Sequence, residues 1–210
     1  MKKWMAIVAA AVLVFGCAGF AACAPRQTGE SIGVQSVTLS QTQLSLAPGE
    51  SETLTATALP EDAADRTVTW SSSDADVVTV SDGTVTAVAV GEAVITATAG
   101  DKTATCSIVV ADKVLSTAAD LTAFAEEVNG GDTYADQTVA LGADIDLTDT
   151  ADWTPIGNGT RSGSSYTGNA FKGVLNGYGF TISGFTFDGT YGADDAFGLV
   201  GVLDGGTVTD

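Results

Sequence analysis

From Val37 to Val110 the chain alternates apolar and polar residues with a period of two, and short Pro, Gly, Ser and Asp clusters interrupt the alternation. A period of two places one set of side chains on one face of an extended strand and the other set on the opposite face, and the interruptions are turns. The pattern is most regular over residues 66–88, RTVTWSSSDADVVTVSDGTVTAV, where turns are expected at Ser71-Ser72-Ser73-Asp74 and at Ser81-Asp82-Gly83. This stretch is predicted to form a half-buried antiparallel meander. Trp70 shares parity with Val68 and is predicted to point into a core; Cys106 shares parity with Ala104 and Ile108 and is predicted to be a small buried apolar residue rather than a reactive thiol.

Composition narrows the class further. With 45% hydrophobic residues and 25 glycines in 210 residues, the chain can bury real cores and favours many short strands joined by tight turns. All-β is the expected class. Acidic residues number 26 against 8 basic ones, a formal net charge of −18. Such a surface repels phosphate backbones and anionic headgroups, so nucleic acid and peripheral lipid are disfavoured as partners. The absence of His removes His-based triads and His-ligated zinc. No zincin motif, nucleophile elbow or phosphate loop is present, so no catalytic residue and no cofactor is expected.

An ordered series of residues carries a resemblance. It runs through Val37-Thr38-Leu39-Ser40, Leu44-Ser45-Leu46, Pro48-Gly49, Leu54-Thr55-Ala56-Thr57, Val68-Thr69-Trp70-Ser71-Ser72-Ser73-Asp74, Asp82-Gly83-Thr84-Val85-Thr86-Ala87, Ile95-Thr96-Ala97 and Cys106 to Val110. Over residues 36–110 this resembles the bacterial Ig-like group 2 domain. The resemblance implies a β-sandwich of about seven strands, displayed at a cell surface as a spacer or adhesion module.

The first 24 residues, with Lys2 and Lys3, an apolar run from Trp4 to Phe15 and then small residues around cysteine, have the order of a secretory signal. They resemble a bacterial lipoprotein signal. In that reading residues 1–22 are removed, Cys23 receives the lipid, and residues 23–35 form a flexible tether. Phe20 stands where the family has Leu. Cys17 is the alternative lipidation site, and ordinary cleavage near Ala21 or Ala22 with release of the protein is the other alternative.

After a linker at 111–115 the pattern changes. Thr117 and Asp120 have the spacing of a capping box, and Leu121, Phe124, Ala125 and Val128 recur at helical spacing until Asn129-Gly130-Gly131. One amphipathic helix of about three turns is predicted. Beyond it come strand-like runs at Val139–Leu141, Ile145 and Leu147, Phe171–Leu175, Phe180–Phe185 and Phe197–Leu203, with turns at Asn176-Gly177, Asp188-Gly189 and Gly205-Gly206. With Trp153-Thr154-Pro155-Ile156-Gly157 and Gly198-Leu199-Val200-Gly201, they resemble the start of a GLUG-type β-helical region, although Val200 departs from the repeat's pattern. The resemblance implies that residues 116–210 form a right-handed β-helix-like module whose first coil is capped by the helix. Such a stack needs about three or more repeats, so the module is expected to be incomplete: either the chain is the N-terminal piece of a longer protein or its last segment is poorly ordered alone.

Asp144, Asp146 and Asp149, with Asp152 nearby, are the best candidates for a metal site. Solvated carboxylates on the outward face of a strand are the expectation, and a calcium site at Asp144, Asp146 and Asp149 is the alternative, since hard oxygen ligands suit that ion. The sequence is therefore expected to be a lipid-anchored, extracellular spacer or adhesion protein of the bacterial cell envelope that binds an extracellular protein or carbohydrate without covalent chemistry and meets the membrane only through its lipid. The alternatives are the non-catalytic N-terminal part of a larger secreted protease or glycosidase, and a spacer with no ligand.

Overall fold

The computed structural model describes residues 31–150, 152–162, 165–186 and 198–210. The signal segment, Cys17, Cys23 and the turn at Asp188-Gly189 lie outside these residues, as does most of the tether. The last part of the tether is packed rather than free. Val34 is buried, and the Gln35 N–H donates to the Leu59 carbonyl at 2.7 Å.

The first half of the described chain is a β-sandwich of β1 (Ser36–Leu39), β2 (Gln43–Leu46), β3 (Ser51–Thr53), β4 (Ala56–Leu59), β5 (Thr69–Ser72), β6 (Val78–Ser81), β7 (Thr84–Ala87), β8 (Gly91–Ala99) and β9 (Lys102–Val110). Its sheets have the orders β2-β9-β8-β5 and β3-β7-β6, and β1 pairs with β4. Nine segments stand where about seven strands were expected because edge strands break between sheets. After β1 the Ser40 N–H donates to Thr55 at 2.9 Å and the Ser40 hydroxyl accepts from the Thr55 N–H at 3.0 Å. The chain then leaves β4 and continues as β2, which runs parallel to β9 with Leu44 opposite Ile108.

The core follows the alternation. Leu46, Leu54, Val78, Val85, Ala93, Ile95, Cys106 and Ile108 form one buried cluster, and Val34, Val37, Ala58, Ala97 and Ala99 form a second. Trp70, half-buried, packs against both. A ring of that size joins two clusters more readily than it disappears into one.

One expectation needs correction. Residues 66–88 do not form a continuous meander: β6 pairs with β7, but β5 pairs with β8 in the other sheet. The turn between β5 and β6 is closed locally, with the Asp76 N–H donating to the Asp74 carboxylate at 3.0 Å, and it carries the chain across the sandwich. The second turn is a true hairpin. Asp82 and Gly83 have φ of 49° and 84° between the paired residues Ser81 and Thr84, a two-residue loop of the twist that suits paired strands.

The second half opens with β10 (Lys113–Leu115), so residues 111–115, expected as a linker, are instead fixed in the fold. Helix α1 (Ala118–Asn129) follows, with the Thr117 hydroxyl accepting from the Asp120 N–H and the Asp120 carboxylate accepting from the Thr117 N–H. Its buried residues are Leu121, Phe124, Ala125 and Val128, the stripe read from the sequence. Then come β11 (Thr138–Leu141), β12 (Ile145–Asp146), β13 (Asn158–Ser162), β14 (Ser165–Asn169), β15 (Val174–Asn176), β16 (Ile182–Ser183) and β17 (Thr207–Thr209). Strands β10, β11, β15 and β17 lie side by side in that order, every neighbour parallel. Strands β12 and β16 are also parallel, as are the bridges Ile156 to Val200 and Phe171 to Leu203. Only β13 and β14 form an antiparallel hairpin among the described residues of this half.

The helix closes the interior between these returns. Phe124 meets Tyr134 and Phe171 edge-on, with ring centroids 5.0 and 5.5 Å apart, in a core that also holds Leu115, Val139, Leu141, Ile145, Trp153 and Ile156. Edge-to-face rings add about 0.5–1.5 kcal/mol per pair to the burial of their area.

Candidate functional site

The aspartates singled out above are turned outward, as alternation requires: Ile145 and Leu147 are buried while Asp144, Asp146 and Asp149 are exposed. Each described contact closes a turn or ties neighbouring segments. The Asp144 carboxylate accepts from the Thr181 N–H at 2.8 Å, and that of Asp146 accepts from the Thr148 N–H at 2.9 Å and from the Thr148 hydroxyl. The Thr148 hydroxyl, then its N–H, holds the Asp146 carboxyl below the usual aspartate range. Asp152 lies apart, on a cavity of about 520 Å³ beside Glu126, Asn129 and Trp153. Among the described residues no group of three or more His, Cys, Asp or Glu side chains is placed to hold a metal ion, so the structure does not bring Asp144, Asp146 and Asp149 together as a calcium site.

A second polar group joins β10 to the helix. The Lys113 ammonium donates to Glu127, to which the Tyr134 hydroxyl also donates, and reaches that hydroxyl at 3.1 Å. The hydrogen bond from Lys113, with that from Tyr134, holds the Glu127 carboxyl below the usual glutamate range. Burial pulls on the Lys113 ammonium, but its bonds to Glu127 and Tyr134 outweigh this and raise it. The Tyr134 phenol is raised, first by burial and then by Glu127. An acid held ionised and a base held protonated make a fixed ion pair rather than an acid–base couple, so this network fastens β10 to the helix.

The third site was not read from the sequence. It lies where the second module meets the outer face of the sheet β2-β9-β8. There the Ser45 hydroxyl donates to the Leu141 carbonyl at 2.8 Å. Gln43 donates through its side-chain amide to the Tyr178 carbonyl, and the Tyr178 hydroxyl donates to Glu92 at 3.3 Å. The Tyr178 phenol is raised, chiefly by burial and then by the Glu92 carboxylate. Beneath lies an apolar contact of Val109, Ala111 and Ala140, with Val114 and Tyr178 packed against it. A groove of about 590 Å³ remains beside it, lined by Ser73, Glu92, Val94, Ser107 and Tyr178 among others. The sequence does carry a signal for this contact, the unbroken apolar run Ile108-Val109-Val110-Ala111, because a strand buried on both faces loses its alternation.

Comparison with known proteins assigns the first module. Residues 33–110 match the family model of the bacterial Ig-like domain (group 2), and this segment is such a domain, a non-catalytic β-sandwich. The chain is 31% identical over 163 residues, 77% of its length, to an alpha-L-arabinofuranosidase of Bifidobacterium longum subsp. longum, and it covers 14% of that protein. It is also 42% identical over 71 residues, 32% of its length, to an uncharacterized protein of Clostridium acetobutylicum, covering 18% of it. The chain thus spans less than a fifth of the length of these curated relatives. Among solved structures, it is similar to domains 5-6 of the S-layer protein SbsC, with 24% identity, a TM-score of 0.34 and coverage of 38% of this chain and 44% of that one. It is also similar to a bacterial Ig-like domain containing GH10 xylanase from termite gut, with 16% identity, a TM-score of 0.30 and coverage of 64% and 39%.

Proposed function

We propose that the chain is a non-catalytic accessory segment of an exported, surface-exposed bacterial protein that acts on or adheres to carbohydrate. The Ig-like domain is the spacer, and the second module is the first part of a right-handed, GLUG-type β-helix that offers an extended binding face. The observation that carries the reading is the 31% alignment with the arabinofuranosidase. At 163 residues it is too long to end within the Ig-like domain, which stops at residue 110, so it runs into the second module. The likeness therefore extends past the spacer. The parallel returns of β10, β11, β15 and β17 support the β-helical assignment, since successive coils of such a stack add one strand each to a common sheet.

Affinity electrophoresis of the full chain in gels containing soluble arabinoxylan tests the binding reading. Retarded migration, with no hydrolysis of an aryl arabinofuranoside, is the expected result. Unretarded migration in arabinoxylan and in a panel of other neutral glycans would leave the chain a spacer alone.

Under the same reading Cys23 carries the lipid that holds the protein to the envelope. Fatty-acid labelling in the producing cell is expected to mark the unmodified chain and to spare a Cys23→Ala form. Label retained by that form assigns the anchor elsewhere, with Cys17 the next residue to replace.

A further inference from the structure

We infer that the Ig-like domain and the second module form one rigid body, locked by Tyr178 across the outer face of the Ig-like sheet. This goes beyond the functional reading above and depends on no ligand. Domains joined in one chain ordinarily move relative to each other unless their contact is apolar and well packed. Here the connection leaves no free hinge. Strand β9 ends at Val110 and β10 begins at Lys113. Of the residues between them, Ala111 is fully buried with its N–H on the Leu46 carbonyl at 3.0 Å, and the Asp112 carboxylate accepts from the Thr138 N–H at 2.7 Å.

The sheet surface itself is adapted to this partner. The outer face of a sandwich sheet normally meets water and is polar. On this one Val109 is 5% exposed and Ser45 is 8% exposed, the one buried polar residue among the described positions. A buried hydroxyl needs a partner, and that of Ser45 finds it in Leu141, a residue of the other module. Tyr178 is gripped at both ends, its carbonyl by Gln43 on β2 and its hydroxyl by Glu92 on β8. Because β9 lies between those strands, the two bonds tie Tyr178 to strands two spacings apart, about 10 Å. Its backbone is held at φ 49° by its N–H on the Asn176 side chain at 3.0 Å. The backbone of Tyr178 is thus held by its own module while its hydroxyl meets the sheet.

Residual dipolar couplings on the full chain, isotopically labelled and weakly aligned, test the inference. Couplings from 36–110 and from 113–186 are expected to fit one alignment tensor in orientation and magnitude. Two tensors of different magnitude in the unmodified chain would overturn the rigid body. In a Gln43→Ala, Tyr178→Ala double variant whose amide spectrum shows both modules folded, the tensors are expected to diverge. One shared tensor there would overturn the role given to Tyr178. Should the double variant not fold, the unmodified chain still decides the first question. Arabinoxylan binding can fail while the tensors agree, so the two readings fail separately.

Discussion

Gly83 and Trp70 compete for the same space: a Cβ on Gly83 would stand 3.0 Å from Trp70 Cζ2 and 2.5 Å from the Leu54 carbonyl oxygen. The hairpin turn therefore lies directly against the ring that joins the two sandwich cores. Gly83 also sits at φ 84°, where a side chain is strained. Gly83→Ala is expected to destabilise the chain by about 1–3 kcal/mol and to perturb Trp70. Urea unfolding followed by tryptophan emission checks this, with a lower midpoint and a shifted native spectrum expected.

Phe124 is one of the two largest fully buried side chains, with Phe171, and both lie in the second core. Fully buried, it contacts Tyr134 and Phe171 through ring edges, so Phe124→Ala leaves a cavity and removes both pairs. A loss of about 3–5 kcal/mol is expected, and Phe124→Leu should lose less. Thermal unfolding by circular dichroism, compared between the two variants, measures the difference.

Acid should weaken the helix and its attachment. The Glu127 and Asp120 carboxyls are both held below their ordinary values, Glu127 first by Lys113 and Asp120 first by the Thr117 hydroxyl. A carboxyl lowered in the folded state contributes stability that is full above its unfolded pKa and is lost as pH falls through the folded one. The loss should thus begin near the unfolded values, about pH 4, and deepen below it. Glu127→Gln is expected to flatten the stability profile from there downward, and its effect at neutral pH should be small because an ion pair this exposed is screened by water. Denaturant midpoints between neutral pH and about pH 3 provide the comparison.

The Cys106 thiol is fully buried and raised by that burial, so the folded chain should protect it from disulfide exchange reagents. Reaction at Cys106 is expected only after denaturation, read by mass spectrometry of the peptide that contains it. Fast labelling of this peptide in buffer would show that the sandwich opens locally.

Calcium titrated into the full chain at moderate salt should give no heat above the buffer blank, since the Asp144 and Asp146 carboxylates are engaged by Thr181 and Thr148. Saturable heat abolished by Asp146→Asn would restore the calcium alternative.

Legibility in the sequence was uneven, for physical reasons. Helix α1 could be read to its cap, because Thr117, Asp120 and the Leu121, Phe124, Ala125, Val128 stripe interact within a few residues of one another. The outward Asp144 and Asp146 around the buried Ile145 followed from alternation alone. The partner of β5 could not be read. Alternation reports that one face is buried and says nothing about which strand lies alongside, so a crossover and a hairpin after Trp70 have the same pattern. The role of Tyr178 was hidden for the same reason, its partners Gln43 and Glu92 being set by the chain's return and not by local spacing.

The parallel pairing of β2 with β9 also sets an order in time. Those strands are nearly the first and the last of the sandwich, so its four-stranded sheet cannot close on β2 until almost the whole domain has emerged. Such long loops make closure slow compared with local hairpins. During synthesis β2 must therefore wait unpaired while the β6–β7 hairpin is free to form early.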